Sequence, residues 1–173
     1  MKKRLVQSAR ETGAVASIIE VACLFLCLYG VYKSFWMNTV GVSLWLDEAM
    51  LASSLIKRSI WNLTSEILDW TQTAPAAWLY LNKLITLVFG NTEFALRLFS
   101  VFSYAATLIL VYVISKRYFH VRLPMLCSAY IASMSFSLYY SIMFKPYISD
   151  GLFTMLTLHA YCRFRQKRGV QYF

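Results

Sequence analysis

The 173-residue chain is 59% hydrophobic and 14% charged, with a mean hydropathy of +0.54. Soluble domains carry about a quarter charged residues, so the composition excludes a soluble globular domain and predicts an all-α, polytopic integral membrane protein. The net charge of +9 does not indicate nucleic acid as a partner. The basic residues gather as "MKKR", "KRYFHVR" and "RFRQKR" beside apolar runs, as at the cytoplasmic ends of membrane helices, and no zinc-finger spacing or RNA-binding aromatic motif accompanies them.

A membrane helix needs roughly 20 mostly apolar residues. Residues 13–32 meet this with one charge, Glu20. The basic start resembles a signal peptide, but the run is long for one and no small-residue cleavage site follows, so it reads as an uncleaved anchor. A long outer loop, about 33–93, comes next. It is neither low-complexity nor Gly/Ser-rich, so it is expected to be structured. Leu46, Met50, Leu51, Leu55 and Ile56 recur at helical spacing over 46–60, and Leu63, Ile67 and Trp70 over 62–70. Both stretches predict amphipathic helices on the bilayer surface. Pro75 to Gly90 is apolar but short, with Lys83 in its middle. If it does not cross, all three basic clusters face the cytoplasm, so it is expected near the outer interface with Trp78 and Tyr80 as anchors.

Three more spans follow, at about 94–115, 123–144 and 146–162. The last is interrupted by Asp150 and His159, with Pro146 in its first turn. The expected architecture is therefore a single membrane domain over 1–173 with four spans and both termini cytoplasmic; in the alternative, Pro75–Gly90 crosses as a fifth. Cys23, Cys27, Cys127 and Cys162 all lie in or at the ends of apolar runs and fit neither a zinc site nor a disulfide framework.

The acids stand out in so apolar a chain. Asp47 and Glu48, in "SLWLDEAM", are consecutive, so on a helix they lie about 100° apart and only one can point into a given pocket. From spacing alone they equally decorate the first turn of a surface helix, where acids meet the positive dipole end. Asp150 sits just inside a span, where an ionised carboxylate is costly; Lys145, five positions earlier, is a candidate partner. Glu20 receives no role. Lys57, Arg58, Lys83 and Arg97 lie in or beside the outer loop, where each alone suits lipid phosphates and together they suit a phosphorylated lipid head group. Asn62-Leu63-Thr64 fits a glycosylation sequon.

The order of these features resembles the amino-terminal part of the type-C membrane glycosyltransferases, and more narrowly the dolichyl-phosphate-mannose protein mannosyltransferase-like group (glycosyltransferase family 39). The resemblance rests on the acidic pair after the first span, a turn at Thr73-Ala74-Pro75 before an aromatic-rich helix, "GNTEFALRL" at Gly90–Leu98, and Lys145-Pro146-Tyr147 before a later span. In the family the turn is His-Pro-Pro-like and the last segment often Arg-Pro-Tyr; the His and one Pro are missing here. The resemblance implies a polyprenyl-phosphate sugar donor and transfer, with inversion, to an unidentified acceptor hydroxyl on the outer face. It implies Asp47 as the proton acceptor with Glu48 in support, and Asp150 as a second acid. It implies Lys83, Arg97 and Lys145 around the leaving phosphate, and a divalent ion between Asp47 and Asp150 as compatible but not required. Membrane lipids are the surroundings, and the bacterial inner (plasma) membrane is the expected location. Family members are longer, so the chain is expected to be an amino-terminal part without a complete donor site. The alternative is a small non-enzymatic membrane protein that binds lipid phosphates or a partner.

Overall fold

A computed structural model describes residues 2–41, 43–65 and 67–167, with 2–12 by their backbone only. The side chains of "MKKR" and the last residue of "RFRQKR", Arg168, therefore lie outside the described residues. Among the described residues the fold is all-α, with seven α-helices: α1 (Lys2–Thr39), α2 (Leu46–Lys57), α3 (Ala76–Phe89), α4 (Glu93–Arg117), α5 (Pro124–Ser133), α6 (Ser135–Ser141) and α7 (Tyr147–Lys167), plus a 3-10 turn at Asp69–Thr71. Among the described residues two segments are long and apolar enough to cross a membrane, Gly13–Thr39 and Glu93–Arg117.

The first span continues past residue 32, through Lys33, to Thr39, because nothing in "KSFWMNT" breaks a helix. Gly41, with φ +73, lies just beyond its end. The apolar side chains of α1, among them Phe25, Leu28 and Tyr32, are mostly exposed, as lipid-facing residues are. Its buried stripe is small and polar: Cys23, Cys27, Gly30, Ser34 and Asn38, at spacings of three and four, which lets neighbouring backbones approach closely.

The centre of the bundle is α4, which touches α1, α3, α5, α6 and α7. Its start is capped by Thr92, whose hydroxyl accepts from the Ala95 N–H (3.2 Å). Lys116 and Arg117 occupy its last turn, where cations suit the dipole. The start of α5 is capped from another helix: both oxygens of Glu20 on α1 accept from the Met125 N–H at 3.3 Å.

Three expectations need correction. The third span is not one helix over 123–144; it breaks at Met134 (ψ 119) into α5 and α6. There the Ser133 hydroxyl donates to the Tyr130 carbonyl (2.8 Å) and the Tyr104 hydroxyl to the Ala132 carbonyl (3.3 Å). Side chains thus satisfy acceptors that a continuing helix would have used. Residues 62–70 form no amphipathic helix. Arg58 donates to the Ile67 carbonyl (2.6 Å) and pairs with Asp69 (3.2 Å), and the Asp69 N–H donates to the Ser54 hydroxyl (3.1 Å), holding the segment as a folded-back loop. Trp78 is not an interface anchor. It is fully buried, 4.8 Å from the Phe144 ring centre, in a core with Leu51, Leu55, Leu63 and Leu96. At 14 residues, α3 spans about 21 Å, less than the ~30 Å of a bilayer core.

Two predictions follow from this packing. A Cβ on Gly30 would stand 2.7 Å from the Tyr104 hydroxyl, and Tyr104 is fully buried, so its ring has no room to swing aside. Gly30→Ala should lower stability by roughly 1–3 kcal/mol, read as a lower thermal unfolding midpoint, and Gly30→Ala/Tyr104→Phe should recover much of it. An uncorrected double variant would refute the contact. The second concerns α3. In a background without the four native cysteines, Thr64→Cys and Asn91→Cys, at exposed positions before and after α3, should both react with a membrane-impermeant thiol reagent from the outer side. Reaction at one position only would mean that α3 crosses.

Candidate active site

The carboxylate of Glu48 is fully buried. Oε2 accepts from the Trp45 N–H (3.0 Å), the N3-to-N-cap half of a capping box, and from the Arg97 guanidinium (3.2 Å). Oε1 accepts from the backbone N–H of Phe144. Arg97, 3% exposed, also donates to the Ser43 carbonyl (3.3 Å). One side chain thus ties together the start of α2, the first turns of α4 and the turn before α7.

Asp47, one residue earlier, points outward, with 57% of its side chain exposed, and meets Lys145 Nζ at 2.9 Å. The hydrogen bond from Lys145 and its charge hold the Asp47 carboxyl below the usual carboxylate range. Lys145 is itself 8% exposed and also donates to the Gln72 side-chain carbonyl (3.3 Å). Asp47 and Lys145 meet because their chain neighbours, Glu48 and Phe144, are already bonded.

The remaining residues singled out in the sequence lie elsewhere. Lys83 is buried, and its ammonium donates to the carbonyls of Leu55 (2.8 Å) and Ile56 (3.2 Å) at the end of α2. Burial pushes its pKa down. It caps a helix, and Arg97 holds Glu48. Lys57 occupies the last turn of α2, and Arg58 is held by Asp69. Asp150 is exposed on the first turn of α7, facing a shallow pocket with Phe153, Thr154 and Tyr161. That pocket is lined by neither Asp47 nor Lys145. Among the described residues no three His, Cys, Asp or Glu side chains cluster as a metal site. The sequon threonine, Thr64, is hydrogen-bonded to the Tyr80 hydroxyl (3.0 Å).

Gln72 and the Phe144 N–H are parts of the site that sequence reasoning missed. Backbone donors leave no residue-type signal, and Gln72 gave one only by preceding the Thr-Ala-Pro turn.

The exposed acid, its buried cation and a water-accessible mouth make a place where a proton can be accepted beside a bound anion. No curated protein and no solved structure matches the chain. A family model described as dolichyl-phosphate-mannose-protein mannosyltransferase matches residues 72–173, a stretch that holds Gln72, Lys83, Arg97, Lys145 and Asp150; Asp47 and Glu48 precede it. The chain belongs to the dolichyl-phosphate-mannose-protein mannosyltransferase family.

Proposed function

We propose that the chain carries the base-bearing part of a membrane glycosyltransferase that moves a sugar from a polyprenyl-phosphate donor to an acceptor hydroxyl on the outer face. The observation that carries this reading is the Asp47–Lys145 pair, 2.9 Å apart, with its acid exposed and its cation buried. The acceptor oxygen attacks the anomeric carbon as the bond from that carbon to the phosphate oxygen breaks. The proton of the acceptor passes to the Asp47 carboxylate. The electron pair leaves with the polyprenyl phosphate, whose charge Lys145 offsets. Attack opposite the leaving group inverts the anomeric centre.

A carboxylate with a depressed pKa is a weak base, and Lys145 is the cause of the depression. An anionic phosphate at Lys145 would compete with Asp47 for the ammonium. Asp47 then regains basicity when the donor is bound, which couples proton acceptance to donor occupancy. Asp150, on a separate pocket, has no step in this scheme. Glu48 serves by holding the frame.

The test separates the two neighbouring acids. In a full-length or complemented transferase in membranes, with a polyprenyl-phosphate mannose donor and a panel of hydroxyl acceptors, Asp47→Asn should keep its unfolding midpoint and lose about 100-fold or more in turnover. Glu48→Gln leaves the Arg97 charge buried without its counter-charge, so it should lose folded protein, at roughly 3–5 kcal/mol. Normal turnover in Asp47→Asn would remove the proposed base. Lys145→Met removes the cation that lowers the Asp47 pKa, so the acid limb of kcat/KM should move to higher pH, alongside a lower plateau. An acid limb that stays in place or moves down would contradict the pairing.

A further inference from the structure

A groove of about 590 Å³ runs between α1 and α4, within the range of ligand pockets, about 300–1,000 Å³. Both helices carry segments apolar enough to cross a membrane, so the groove opens onto hydrocarbon rather than water. Leu28, Phe102 and Ile109 form its exposed walls, and Cys27 and Ser128 lie buried beneath them. Ala105 stands between Phe102 and Ile109 on the same face of α4, and its small side chain leaves the space open. The Ser128 hydroxyl is used inside the bundle, donating to the Leu108 carbonyl (2.9 Å). The groove therefore takes an apolar occupant.

One end of it is polar. Tyr112 lines the groove, and one turn further along α4 the exposed Lys116 donates to the Tyr112 hydroxyl (2.9 Å). An ammonium has three donors, so two are left. The Tyr112 hydroxyl, accepting from Lys116, keeps its own proton to donate. The same end of the bundle exposes Arg117 and Arg122, and also Arg163 and Lys167 of α7, which meets α4 there through His159 and Tyr118. Among the described side chains the acid at this end is Glu20, which is engaged by the Met125 N–H.

The dimensions fit one leaflet. On α1 the lining runs over residues 24–35, about 16 Å, which is half of the ~30 Å hydrocarbon core. Lys116 lies ~28 Å along α4 from Arg97, the residue that holds Glu48. The charged end of the groove is thus on the opposite side of the membrane from the Asp47–Lys145 pair.

We propose that this groove binds an anionic glycerophospholipid, with one acyl chain between α1 and α4 and its phosphate on Lys116 and the Tyr112 hydroxyl. Charge decides the class. Basic pockets between membrane helices select anionic head groups, and a zwitterionic head group would bring a further cation to this cluster. The site is separate from the proposed sugar donor, whose phosphate belongs at Lys145 on the other face.

The test titrates the full chain in detergent micelles with phosphatidylglycerol, with phosphatidylcholine of the same acyl chains and with a polyprenyl phosphate, and counts bound lipid by native mass spectrometry. One phosphatidylglycerol should bind saturably, and phosphatidylcholine roughly fivefold or more weakly. Ala105 is only half-buried, so Ala105→Phe should fold as the parent does, fill the groove and lose the saturable binding. Lys116→Gln, at an exposed position, should weaken binding roughly fivefold. Arg163→Gln, an exposed cation outside the groove, should leave it unchanged. Equal binding of the two phospholipids, or unchanged phosphatidylglycerol affinity in either Ala105→Phe or Lys116→Gln, would overturn the proposal. Displacement of phosphatidylglycerol by the polyprenyl phosphate, with binding of the latter also weakened in Lys116→Gln, would make this an isoprenoid groove and overturn the assignment. A dimer that Ala105→Phe breaks and phosphatidylglycerol does not enter would make it an interface between copies, which overturns it as well.

Discussion

The structure where α2, α4 and the turn before α7 meet depends on one buried carboxylate. Glu48 is fully buried and accepts from the Trp45 N–H, the Arg97 guanidinium and the Phe144 N–H. Taking an ion pair out of water is costly, and the cost is offset only when the geometry is good and the remaining lone pairs are used. Glu48 meets both conditions. In doing so it fixes a helix start, a central helix and a turn that are 49 and 96 residues away in sequence. Asp47 is then about 100° around α2 and faces out. Lys145, next to Phe144, is delivered to it.

The same economy governs most of the other charges. A chain in or beside lipid must satisfy every backbone group from within, and this chain interrupts its helices repeatedly. Each interruption strands N–H or carbonyl groups. Glu20 serves the start of α5, Lys83 the end of α2, Glu48 the start of α2 and the turn at Phe144. Arg58 serves the Ile67 carbonyl in the folded-back loop. Charges that looked costly in an apolar sequence are committed to backbone groups that would themselves be costly if left bare. The Asp47–Lys145 pair bonds side chain to side chain, as Arg58 and Asp69 do, and its acid is 57% exposed.

This division explains how much of the molecule was legible in the sequence. The all-α class, the first span and the long helix from Glu93 follow from composition and run length. The helix after Trp45 follows from Leu46, Met50, Leu51 and Leu55 at helical spacing. The break at Met134 was illegible because no proline or glycine marks it; it depends on Tyr104, a residue of another helix, reaching the Ala132 carbonyl. Residues 62–70 carried a helical pattern of apolar residues, yet Arg58 and Asp69 formed a tertiary pair that the pattern could not register. Lys83 and Arg97 were placed with Lys145 around a phosphate by the family resemblance, and their backbone and Glu48 partners left no signal in the sequence. Sign says nothing about whether an ammonium will meet a ligand or a helix end, and that choice was made by the contact of α2 with α3 and α4.

The neighbouring acids show why adjacency, rather than helical repeat spacing, suits this site. Two carboxylates at i and i+4 would share a face and repel each other. At i and i+1 they divide between inside and outside, so the inner one can hold the frame without drawing charge from the outer one. The partners are adjacent too: Phe144 offers a backbone N–H and Lys145 an ammonium, one to each acid. A slip of one residue in either segment would offer Lys145 to the interior and leave Arg97 competing with it for a single carboxylate. The buried pair therefore sets the register of the exposed pair. Trp45 and Leu46, 66% and 73% exposed, stand beside Asp47 and make the mouth amphipathic. The proposed lipid-borne phosphate has that same division of apolar tail and charged head, and Asp47 can remain solvated because its neighbour is not.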